Sequence, residues 1–127
     1  MSSKDRSVTE FLNVDLDISA QAGLETLLDA MASSVIILNQ TAKTVSIELS
    51  EGYSSLEETT VKLVELINSL SPEARTIWGQ CKRRSLNVGI RAGIEPHSSE
   101  FAISKETVSA LADAGFDVVF TVYAPLS

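Results

Sequence analysis

Residues 10–49 read EFLNVDLDISAQAGLETLLDAMASSVIILNQTAKTVSIEL, and their changes of hydrophobic period decide the fold. From Glu10 to Ile18 every second side chain is apolar. Leu12, Val14, Leu16 and Ile18 share one face and Asn13, Asp15 and Asp17 the other, which predicts a half-buried strand. Over residues 21–32 the apolar positions Leu24, Leu27, Leu28 and Met31 switch to the three-to-four spacing of an amphipathic helix. Val35 to Leu38 then reads as a short buried strand, and Thr44 to Leu49 alternates again, burying Val45, Ile47 and Leu49. Residues 39–43 close these two strands into a hairpin whose turn type stays open, because no Asn-Gly pair marks it.

Downstream the signals are mostly helix boundaries. Ser54 followed by Glu57 spells a capping box, and Leu56, Leu63, Ile67 and Leu70 supply the buried stripe of a helix over residues 55–69. Ser71-Pro72 predicts a second start, since proline at the first helical position loses no hydrogen bond; the helix runs through Trp78 to about Gln80. Leu86, Val88 and Ile90 alternate with Asn87, Gly89 and Arg91 as a strand, and residues 93–98, with Pro96, form a loop. Phe101 and Ile103 predict a further short strand. Ser104 caps a helix carrying Val108, Leu111 and Ala112 that stops at Gly115. Val118 to Tyr123 is apolar on both faces, the pattern of a central strand.

This order predicts an α+β domain spanning residues 1–127, with residues 1–9 as a flexible tail. The architecture is a ferredoxin-like sandwich: one mixed, mainly antiparallel sheet with helices on one face, extended by a C-terminal helix and strand. With 127 residues and 44% hydrophobic side chains, the chain has enough core to fold without a disulfide or metal staple.

The only cysteine is Cys81, and Met1 to Glu10 lacks the apolar stretch of a secretory signal, which makes the cytoplasm the expected compartment. No apolar run approaches the roughly 20 residues that span a bilayer, so no membrane role is expected. Residues 1–70 carry 4 basic and 11 acidic side chains, whereas residues 71–127 carry 6 of each, so the net charge of −7 belongs to the first half. Such a field repels nucleic acid, whose affinity rests on cations displacing counterions.

In the second half, the helix Leu63-Val64-Glu65-Leu66-Ile67, the strand Leu86-Asn87-Val88-Gly89-Ile90, the stretch Phe101-Ala102-Ile103-Ser104-Lys105-Glu106 and the segment from Leu111 through Ala114-Gly115-Phe116 to Tyr123 carry a resemblance. Over about half its length, the chain resembles the bacterial family called domain of unknown function (DUF) 4279. The resemblance implies the fold more than an activity. Some members of that family look like immunity proteins that neutralise bacterial toxins, and the resemblance extends that expectation to this chain.

Residues able to carry chemistry are few. His97 is the only histidine, so no ordinary zinc set can be assembled with Cys81, and no metal or cofactor site is expected. A Cys81–His97 dyad has no third orienting residue. Asp15 and Asp17 share a strand face with Glu48 as a candidate neighbour; they offer oxygen ligands to a hard cation or, more simply, a solvated polar face. Lys82-Arg83-Arg84, with Arg75 before it and Arg91 after it, is the one concentrated basic region. It either binds something acidic or serves helix ends and the chain's own acidic half. Trp78 with Arg83 and Arg84 is the candidate interface if the indole is exposed, because tryptophan and arginine dominate binding hot spots.

The expectation that follows is a non-catalytic protein-binding module, in its sharpest form an immunity-type inhibitor whose acidic surface steers a basic partner. The alternative is a small-molecule-binding regulatory module with a pocket lined by Arg83, Arg91 and Tyr123, with which a homodimer is compatible.

Overall fold

The computed structural model describes residues 8–52, 55–95 and 98–125. Its elements are β1 (Glu10–Ser19), α1 (Leu24–Met31), β2 (Val35–Gln40), β3 (Thr44–Leu49), α2 (Leu56–Asn68), α3 (Pro72–Gln80), β4 (Arg83–Arg91), α4 (Lys105–Ala114) and β5 (Asp117–Tyr123). The strands form one sheet in the order β2-β3-β1-β4-β5, antiparallel throughout except for the parallel pair β4–β5. The first four strands have the ferredoxin-like order. The α4 crossover adds β5 in parallel beside β4, as a connection through a helix requires.

Local chemistry sets the helix ends. Ser71 and Ser104 accept hydrogen bonds from the backbone N–H groups of Ala74 and Thr107, at 3.3 and 3.2 Å. Gly115 ends α4 at φ 84°, a backbone region that disfavours side chains. The start of α2 differs from the expected capping box. Ser55 accepts from the Glu58 N–H at 3.0 Å, while Glu57 turns away from its own helix towards α4; Ser54 lies outside the described residues.

The core forms between the helices and one face of the sheet. Leu16, Ile18, Ile47, Leu86 and Val88 are buried there with Leu27, Met31, Leu63, Ile67 and Trp78. The helices leave the opposite face of the sheet uncovered. β1 crosses the middle of the sheet, so its Asn13, Asp15 and Asp17 occupy the centre of that open face.

Four expectations need correction. Residues 101–103 form no strand: the alternation of Phe101 and Ile103 finds no neighbouring edge to pair with, and the segment is an extended link into Ser104. Val35 to Leu38 is a strand but not a buried one, because β2 lies at the sheet edge and only Val35 is covered. β5 likewise is the opposite edge, not a central strand, and six of its seven residues are exposed. On α4 the buried side chains are Thr107, Leu111 and Ala114, which leaves Val108 and Ala112 exposed.

Candidate functional site

The open face is built by strand alternation. Asp15 on β1 lies opposite Asn87 on β4, and Asp17 opposite Ser85. On the other flank Asp17 lies opposite Ser46 of β3, and the same register carried one pair past Leu16–Ile47 brings Glu48 beside Asp15. The result is a band of half-buried polar groups across the middle of the sheet, with Ile36 on β2 and Val119 and Tyr123 on β5 as exposed apolar margins.

Partners for the carboxylates are uneven. Asp17 accepts a hydrogen bond from the Ser46 hydroxyl at 2.6 Å and has the Arg83 guanidinium 4.0 Å away. Arg83 also donates from Nε to the Ser85 hydroxyl at 3.2 Å. Asp15 accepts only an amide N–H from Asn13, at 3.0 Å, among the hydrogen bonds resolved at its side chain. Burial among its neighbours, then the negative charge of Glu48, then that of Asp17, push the Asp15 carboxyl up from 3.8 to about 6. Near neutral pH the band therefore holds a carboxyl that a cation would bring fully to its charged form.

Asn13 also explains Gly89, the residue opposite it on β4. A Cβ there would lie 2.5 Å from the Asn13 side-chain oxygen, so the absent side chain is what lets Asn13 lie across the sheet. Beside it the Thr121 hydroxyl donates to the Asn87 side-chain oxygen at 2.8 Å, which ties β5 into the same polar band.

The basic run does not form one patch. Alternation along β4 sends Arg83 to the open face and Arg84 to the helical face, where Arg84 donates to the Trp78 carbonyl at 3.3 Å and to the Gly79 carbonyl at 3.5 Å. Arg84 thus closes the C-terminal end of α3, where a cation opposes the helix dipole. Arg75 similarly reaches the Ile67 carbonyl near the end of α2, at 3.5 Å. Arg91 is held by Glu10 at 2.7 Å.

Trp78 is 1% exposed, which removes it from any interface. Its indole N–H donates to the Ala114 carbonyl at 2.7 Å, its ring lies 5.1 Å from that of Phe116, and the Arg84 guanidinium stands 5.9 Å above it. The expected pocket of Arg83, Arg91 and Tyr123 does not form either. Eight residues of strand put Arg83 and Arg91 roughly 26 Å apart, at opposite ends of β4. A shallow groove of about 410 Å³ lined by Asp17, Ser19, Ser46 and Arg83 occupies one of those ends.

Cys81 is buried and its thiol donates to the Ile77 carbonyl at 3.3 Å. Burial pushes its pKa up, against a smaller downward pull from Arg84, which is the reverse of what a nucleophilic thiol needs. His97 lies outside the described residues. Among the described residues no group of three or more His, Cys, Asp or Glu has the arrangement to hold a metal ion, and no helix is long and apolar enough to cross a membrane.

The period of β1 alone places Asp15 and Asp17 together, whereas their cross-strand partners depend on strand order and register. Ser46 and Asn87 each occupy the polar phase of an alternating strand, which is a signal in the sequence, whereas Thr121 stands among apolar residues and carries none. Comparison with family models, with curated proteins and with solved structures finds no match to this chain.

Proposed function

We propose that this protein is a non-catalytic protein-binding module whose open sheet face receives a basic partner. The observation that carries this reading is the grouping of Asp15, Asp17 and Glu48 on the uncovered face, with Asp15 held near 6 by burial and by its two acidic neighbours. A carboxylate held against burial and like charge gains most from an incoming guanidinium or ammonium group, and the apolar margins at Ile36, Val119 and Tyr123 offer contact area around it.

The sharpest form is an immunity-type inhibitor of a bacterial toxin, the expectation carried by the family resemblance. A basic toxin such as a nuclease meets the requirement for positive charge, and the net charge of −7 would steer its approach. The absence of catalysis in this reading is supported by the raised, carbonyl-bound thiol of Cys81.

Capture of partners from native extract at low and high salt, with the wild type and an Asp15→Asn/Asp17→Asn/Glu48→Gln variant, tests the reading. One stoichiometric basic protein should be retained by the wild type at low salt, then lost at high salt and lost by the variant. Its capture should strengthen as pH rises through about 6, because Asp15 must release its proton to meet the cation. A partner held equally by the variant, or no partner, contradicts the proposal.

A further inference from the structure

We infer that the exposed edge of β5 pairs with β5 of a second copy of this chain, joining two sheets into one of ten strands. The inference begins with the direction of the backbone groups. The Ala92 N–H donates to the Tyr123 carbonyl at 2.8 Å, so the peptide groups of Tyr123 face β4. Alternation along the strand then turns those of Thr121 and Val119 towards β4 and those of Val118, Phe120 and Val122 outward. Three consecutive outward residues present a donor and an acceptor each along a straight edge.

Natural edges of this kind are blunted by charge, proline or a bulge. The opposite edge has such a device: the register between β2 and β3 shifts between Ile37 and Asn39, and polar Asn39 and Gln40 follow. β5 has none between Val118 and Tyr123, where its pairing with β4 runs without a register shift. Its side chains are also apolar on both faces, with Phe120 55% and Val122 60% exposed. A solvated edge gains nothing from such residues on both faces.

A second copy satisfies these groups by symmetry. Antiparallel pairing about a two-fold axis at Phe120 sets Val118 against Val122 of the second copy and Phe120 against itself, so all three outward residues of each strand form hydrogen bonds. The same register places Asp117 opposite Tyr123, and no carboxylate within the strands meets another despite the net charge of −7. In this register the exposed Val118, Phe120 and Val122 of each copy meet those of the other, so the apolar side chains of both edges leave solvent together.

Sedimentation equilibrium of the full chain over micromolar to millimolar concentrations tests the inference. The wild type should reach twice the 13.7 kDa mass of one chain. Phe120→Lys, which sets two like charges face to face, should return the mass to a single chain with the circular dichroism spectrum kept. Phe120→Cys guards against a lysine variant that fails to fold. Its Cα atoms would face each other at about 5.5 Å, within disulfide range, so mild oxidation should link two chains while an Ile36→Cys control on β2 should not cross-link. A wild type that remains a single chain throughout, or cross-linking through position 36 in place of 120, overturns the inference.

Discussion

The two faces of the sheet treat their polar groups in opposite ways. On the helical face, the Trp78 indole reaches the Ala114 carbonyl, and Glu57 accepts from the Ser104 N–H at 2.8 Å and from the Thr107 hydroxyl at 2.7 Å. Glu57 thereby neutralises the positive end of α4 and locks α2 against it; the hydrogen bonds from the Ser104 backbone, then from Thr107, hold its carboxyl below the ordinary 4.5. On the open face Asp15 is displaced the other way, to about 6. One carboxylate is placed where the fold wants charge and the other where the fold resists it. Groups kept at a cost to stability are the usual mark of a working surface.

That contrast orders the expected effects. Trp78→Ala should destabilise the protein most, by about 3–5 kcal/mol in denaturant unfolding, since it removes a fully buried ring and leaves the Ala114 carbonyl without its donor. A loss below about 1 kcal/mol would mean that the helical face does not carry the fold as described.

Asp15→Asn should do the reverse. Because its folded carboxyl titrates near 6 and its unfolded one near 3.8, the native state keeps a proton that the unfolded state has lost between those values, so this group's contribution falls as pH rises through that window. The variant should match the wild type below the window and exceed its stability above it by about 1 kcal/mol, a figure reduced from the full shift because the side chain is partly solvated. Equal stability above the window would remove the contrast.

Glu57→Gln should give the smallest change, with the opposite pH profile. A depressed carboxyl contributes stability above its unfolded value that is lost as pH falls through its folded one, so the variant should melt lower than the wild type at neutral pH and converge with it in acid. Glu58→Gln, on the exposed side of the same turn, serves as the control.

Much of the fold was legible because its determinants are local. The start of α3 at Pro72 and the end of α4 at Gly115 follow from caps that act within one turn, and the alternation of β1 follows from its half-burial at the sheet centre. What failed depended on neighbours. Val118 to Tyr123 and Val35 to Leu38 have the composition of buried strands, yet strand order makes both of them edges, and composition is blind to order. Phe101 and Ile103 alternate without any strand beside them.

The candidate site divides in the same way. Asp15 and Asp17 could be placed together from one strand's period, whereas their proximity to Glu48 needed the β1–β3 register. Arg83 and Arg84, adjacent in the chain, are separated by that same period of two, and the apparent basic patch dissolves into one open-face partner for Asp17 and one cap for α3.

The open face as a surface that holds Asp15 against burial and like charge is tested most directly by titrating the Asp15 side-chain carboxyl carbon by NMR. A midpoint near 6 is expected, falling only part of the way towards 3.8 in a Glu48→Gln variant, because one like charge is removed while burial and Asp17 remain. A wild-type midpoint already at 3.8 would contradict it.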